Sequence, residues 1–401
     1  MERITINNAD DLKAFIWAQK VARQHACGVF TASRAALRCL PYAINFFQYS
    51  DFFVDRNINC LVILRRVLVA ANASVASSPK IVGAAENARG AYPAHFDATR
   101  VGELNSSSSN AAYFAATAAA FKDNVSASID VATPTVQLAQ SLGDTIWSET
   151  CRDLDLWLGS AETEVGALPI DASSPWSGEN PLEQDWHNLR EKLLAADTPD
   201  QRGADWSFWV KWYDDILAGN LQNWDMLHEI ATTDAIDWNA SVRAVNDRIN
   251  QIVERYRLRD EVVALQRALE QARAALANRA KRGHNGPPEL VDDTPEIEER
   301  LTILWAATQE AEIELEKPKP NPAILSKAGQ IILDSGIWLM KYCGKKMDLV
   351  INTTITTVIK WGVPAAGAVY LTNPQKIIQL GSCNKSCGRF LIILDQPEID
   401  C

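Results

Sequence analysis

Apolar side chains recur every three to four positions along most of this chain, the spacing that lines them up on one side of an α-helix. Leu12, Phe15, Ile16 and Val21 trace a first helix. Val29, Phe30, Leu37 and Leu40 trace a second, which Pro41 is expected to stop because proline lacks an N–H and crowds the preceding turn. Leu61, Leu64, Val67 and Leu68 trace another, followed by alanine-rich segments around Ala84 and over 111–120. The serines at 106–109 read as a loop. One pattern recurs, a capping side chain joined to a proline, as in Ser78-Pro79, Thr133-Pro134, Asn180-Pro181, Thr294-Pro295 and Asn321-Pro322. The first residue accepts a bond from a free N–H of the opening turn, and the proline gives up an N–H that had no partner there, so each pair predicts a helix start. Glu183 adds a capping box to Asn180.

The pattern predicts an all-α fold: a multi-part helical bundle with an antiparallel helical hairpin and a C-terminal amphipathic helix. Its expected parts are an alanine-rich helical unit over 1–160, a linker over 161–179, a tryptophan-rich helical unit over 180–256 and a hairpin over 257–316. A Pro-rich spacer (317–322), an amphipathic and apolar helical segment (323–382) and a tail (383–401) follow. The linker rests on Pro169, Ser173, Ser174, Pro175 and Gly178. The hairpin rests on two seams joined by the loop RGHNGPPEL. Leu258, Val262, Leu265, Leu269, Ala272 and Leu276 form one seam, and Ile297, Leu301, Leu304, Thr308, Ala311 and Leu315 the other. A bend is expected near 257–260, where the stepping changes frame.

Nine of the thirteen tryptophans lie between Trp147 and Trp238. The densest stretch, DWSFWVKWYDD, starts at Asp205, a good N-cap, and its helix is expected to stop at Gly219. Phe208, Trp212, Ile216, Trp209, Tyr213, Trp206, Leu217 and Val210 cover an arc of roughly 200° on the helical wheel. An arc that wide favours packing inside a bundle. The competing reading makes Trp206, Trp209, Trp212 and Tyr213 the lining of a ligand groove.

The C-terminal segment carries a narrow charged stripe. Lys327, Asp334, Lys341, Lys345 and Asp348 fall within about 60° of one another on the wheel, and most of the rest is apolar or small. One reading buries this helix with its stripe in water. The other lays it on an anionic membrane surface or a protein partner through Lys327, Trp338, Lys341, Lys345, Lys346 and Trp361. The stretch 349–371 is long enough to span a bilayer, but Asn352, Lys360 and Pro364 lie inside it and oppose that.

Composition changes this picture little. The chain of 401 residues is 47% hydrophobic and 22% charged, ordinary for a globular protein. Its net charge of -11 argues against nucleic acid as a partner. From Lys317 onward ten basic residues face five acidic ones, so the charge is split along the chain. The opening residues have no apolar run behind a basic head, so no secretory signal is expected there, and the eight cysteines are expected as free thiols in a reducing cytoplasm. The expected location is cytoplasmic, with peripheral attachment at the inner membrane.

Candidate chemistry is sparse. His25, His95, His187, His228 and His284 form no metal-ligand spacing, and GxSxG, P-loop and HExxH motifs are absent. Cys383, Cys387 and Cys401 have no histidine near them in sequence. No catalytic residue, metal or cofactor is therefore assigned. Glu310, Glu312, Glu314 and Glu316 read as a solvated face.

The blocks over 205–238 and RGHNGPPEL at 282–290 resemble a group of uncharacterised bacterial proteins that share a DWxFWxxWY block followed by an RGHNGPPE loop. The resemblance covers roughly 176–290. It implies no activity and no catalytic residues. Taken together, the sequence predicts a non-enzymatic helical interaction protein whose basic C-terminal helix contacts a membrane or partner, with homo-oligomerisation through 258–316. The alternative is an enzyme or small-ligand binder with a pocket in the tryptophan-rich unit.

Overall fold

The computed structural model describes residues 4–49, 60–90, 103–121, 124–139, 145–160, 173–195, 204–282 and 294–343. Among them the fold is all-α, with thirteen helices and no strand. The chain divides into two compact units, Met1–Ile249 and Asn250–Cys401. No helix among the described residues is long and apolar enough to cross a membrane. The stretch 349–371 lies outside them, as do the loop 283–290 and the tail.

The first unit is built on α1 (Ala9–Ala18), α2 (Val21–Tyr49), α3 (Leu61–Val75), α4 (Pro79–Gly90), α5 (Glu103–Ala120), α6 (Val125–Ala139) and α7 (Ile146–Ser160). It adds α8 (Glu183–Leu194), α9 (Ser207–Ala218), α10 (Trp224–Thr232) and the first turns of α11 (Val242–Arg282). The long α2 is the hub and packs against α1, α3, α5, α6, α7 and α8. Its neighbours meet it largely through small side chains: Ala111, Ala112, Ala115, Ala116, Ala118 and Ala119 of α5 are all buried. Small side chains let helix axes approach closely, which replaces area per residue with contact density.

Several local expectations give way to tertiary structure. Val21 does not belong to the first helix; it opens α2 and is exposed. Residues 106–109 are helical within α5, because serine costs a helix only a few tenths of a kcal/mol and the alanines beyond carry the turn onward. Thr133-Pro134 does not start a helix either. It lies within α6, where the Thr133 hydroxyl donates back to Ile129 O at 3.0 Å. Ser78 and Asn321 do cap: they accept from Ile81 N at 3.2 Å and Ala323 N at 3.0 Å. Asn180 accepts instead from Leu182 N at 2.9 Å, an Asx turn before α8.

Pro41 is the largest departure, since α2 runs straight through it. A proline at this position leaves the carbonyl four residues earlier, Leu37 O, without its helical donor. The hydroxyl of Tyr213 on α9 fills that vacancy at 2.9 Å. Tyr213 is fully buried, and burial pushes its pKa up, so it stays protonated and donates. The helix survives its proline because a side chain 176 positions away supplies the missing donor.

The second unit contains the rest of α11, α12 (Thr294–Leu315) and α13 (Pro322–Cys343). The first two are antiparallel: Arg273 Nη2 donates to Leu301 O at 3.2 Å, Gln266 Nε2 to Glu312 Oε2 at 2.7 Å, and Arg255 Nη1 to Lys317 O at 2.7 Å. Leu258, Val262, Leu265 and Leu269 pack with Leu301, Leu304, Ala311 and Leu315, as the seams predicted. α11 is one helix through 257–260, where Arg257 pairs with Glu254 and Glu261 on the same helix. Leu325, Ala328 and Ile332 of α13 close the same core. Glu314 is not part of a solvated face. It is buried and clamps the spacer, accepting from Lys317 Nζ at 2.6 Å and Asn321 N at 2.6 Å. Glu312 is half-buried on Gln266, while Glu310 and Glu316 are exposed.

Two predictions follow from these contacts. Tyr213→Phe orphans Leu37 O and should cost about 1–3 kcal/mol in urea unfolding, whereas in a Pro41→Ala background, where an N–H returns at position 41, the same change should cost clearly less. The Glu314 carboxyl is held below its ordinary value of 4.5 by the hydrogen bond from Lys317 and then by that from Asn321. Its contribution is therefore complete above the unfolded value and lost as pH falls through the lower folded one. Glu314→Gln should flatten the loss of stability measured below pH 4.5.

Candidate functional site

The polar centre of the first unit is a group of charges that the apolar periodicity does not mark. Arg34 and Arg38 lie one turn apart on α2, and Glu149 and Asp153 one turn apart on α7. Arg34, Arg38 and Asp153 have side chains only 1% exposed. Arg34 reaches Asp153 Oδ1 through Nε at 3.1 Å and Nη2 at 2.9 Å, and Arg38 Nη2 reaches Oδ2 at 2.6 Å. Burial by itself would raise the Asp153 carboxyl; the facing guanidiniums of Arg34 and Arg38 outweigh it and hold the carboxyl below the usual range.

Other hydrogen bonds of these guanidiniums, and one from Arg152, go to backbone carbonyls. Arg34 donates to Ser173 O at 2.9 Å and Ser174 O at 2.7 Å, Arg38 to Pro175 O at 2.8 Å, and Arg152 to Ser174 O at 2.9 Å. Glu149 accepts from Ser177 N at 3.0 Å and from the Ser177 hydroxyl at 2.5 Å. The segment expected as a linker is therefore bound to the core at 173–179; its first part, 161–172, lies outside the described residues. Pro175 and Trp176 are buried, and the Arg38 guanidinium lies over the Trp176 ring at 5.6 Å.

Gly219 locks the same segment from the other side. It ends α9 with φ 68°, a left-handed conformation that glycine adopts freely. A Cβ there would sit 2.9 Å from Ser174 N, so both the conformation and the close approach exclude a side chain.

Outside this framework lies a groove of about 410 Å³ bordered by Trp176, Glu179, Glu183, Trp186, Arg190 and Asp214. Trp186 donates its Nε1–H to Asp214 Oδ1 at 2.8 Å, and Arg190 Nε donates to Asp214 Oδ2 at 3.0 Å. The Trp186 ring stands edge-on to Tyr213, with centroids 4.6 Å apart. His187 also borders the groove and pairs with Glu191 at 3.3 Å.

The predicted ring positions do not form this groove. Trp206, Trp209, Trp212 and Tyr213 are 1–3% exposed and belong to the core. Trp209 Nε1 donates to Asn246 Oδ1 at 3.1 Å. Of the C-terminal positions, Lys327 is exposed on α13 and Trp338 packs against the core of the second unit, with Arg300 over its ring at 5.0 Å. The side chain of Lys341, and Lys345, Lys346 and Trp361 altogether, lie outside the described residues. Cys27, Cys39, Cys60 and Cys151 are free thiols, and no group of acidic, histidine or cysteine side chains among the described residues is placed to hold a metal.

Sequence reasoning missed Arg34, Arg38, Glu149 and Asp153. The available signal was two charge pairs of opposite sign, each at i, i+4 on an apolar helical face. Comparisons with protein-family models, curated proteins and solved structures give no match to the chain.

Asp153→Ala leaves Arg34 and Arg38 buried without their counter-charge. It should cost about 3–5 kcal/mol in urea unfolding.

Proposed function

We propose that the protein acts by binding, and that its ligand occupies the groove bordered by Trp176, Trp186 and Asp214. The observation that carries this reading is the groove's construction: its rim segment is fixed by buried arginines and its opposite wall by the Trp186–Asp214–Arg190 chain. Its volume of about 410 Å³ falls in the range of small-ligand sites. Walls that need no rearrangement lose little entropy on binding, which favours affinity. None of the groove's side chains is arranged as a nucleophile with an adjacent base, so the reading is recognition without a reaction step.

The test is a thermal-shift screen of the whole chain against a metabolite set, paired with Leu217→Trp, which fills the groove from a bordering, half-buried position. A true ligand raises the melting temperature of the unchanged protein and not of the variant. A ligand that stabilises both equally, or a screen with no stabiliser, removes this reading.

The basic C-terminal helix supports a second reading, contact with an anionic membrane surface or an acidic partner. Leu325, Ala328 and Ile332 of α13 are used inside the second unit, and Lys327 is left facing outward. Contact through this helix would then be electrostatic, without insertion. Because deleting α13 would expose the apolar core beneath it, charge reversal is the cleaner test. Lys327→Glu with Lys341→Glu should abolish co-sedimentation with anionic vesicles at low salt, and retention of binding by that variant overturns this reading.

A further inference from the structure

We draw no further inference here: the strongest candidate, the surface patch of exposed Trp17 and Val21 at the turn from α1 into α2, carries nothing, because nothing in the structure among the described residues shows what covers it.

Discussion

The first unit is organised around one carboxylate. Asp153 has no access to water, and two guanidiniums from a different helix neutralise it. Ions taken out of water are tolerable only when each is matched in charge and hydrogen bonding. That requirement reaches outward. Once Asp153 has used part of each guanidinium, the leftover N–H groups need acceptors, and the carbonyls of Ser173, Ser174 and Pro175 supply them. A segment with no helix of its own acquires a fixed path, Gly219 presses against it, and Trp176 is set beside the groove. The geometry of the rim is thus a by-product of charge matching in the interior.

The second unit solves a smaller version of the same problem. Buried Arg255 donates to Leu315 O and Lys317 O at the end of α12, and Glu314 holds Lys317 and Asn321 beyond it. The carbonyls that a helix leaves open at its C-terminus are met by a cation from its neighbour. The turn into α13 is therefore set by paired charges and not by the prolines alone. With that turn fixed, α13 drops onto the Leu304–Leu265 core.

Legibility in the sequence followed the kind of force involved. The helices, both seams of the hairpin and the burial of Trp206, Trp209 and Trp212 were readable because apolar burial leaves a 3.6-residue rhythm. Local breakers misled where a distant group compensates them: Pro41 looked like a stop because Tyr213 lies far along the chain. The 173–179 segment looked like a linker because its restraints come from arginines, whose role is set by what faces them. The candidate groove was illegible for a related reason. Its indoles, Trp176 and Trp186, flank the tryptophan-dense helix but are not on it, so counting rings drew attention to the core positions. The alternation of Glu314 with Glu312 and Glu316 points to a solvated face, because such a pattern carries no trace of the spacer folding back over it.

The pairing of Leu37 with Tyr213 bears on how the chain acquires its fold. During synthesis the whole of α2 leaves the ribosome long before residue 213 exists, so the helix emerges with an open acceptor at its middle and two arginines that still lack Asp153. Closure of such sequence-distant contacts is a slow step in folding. An arrest of synthesis before residue 213 would therefore leave Leu37 O without the donor that Tyr213 supplies in the finished fold.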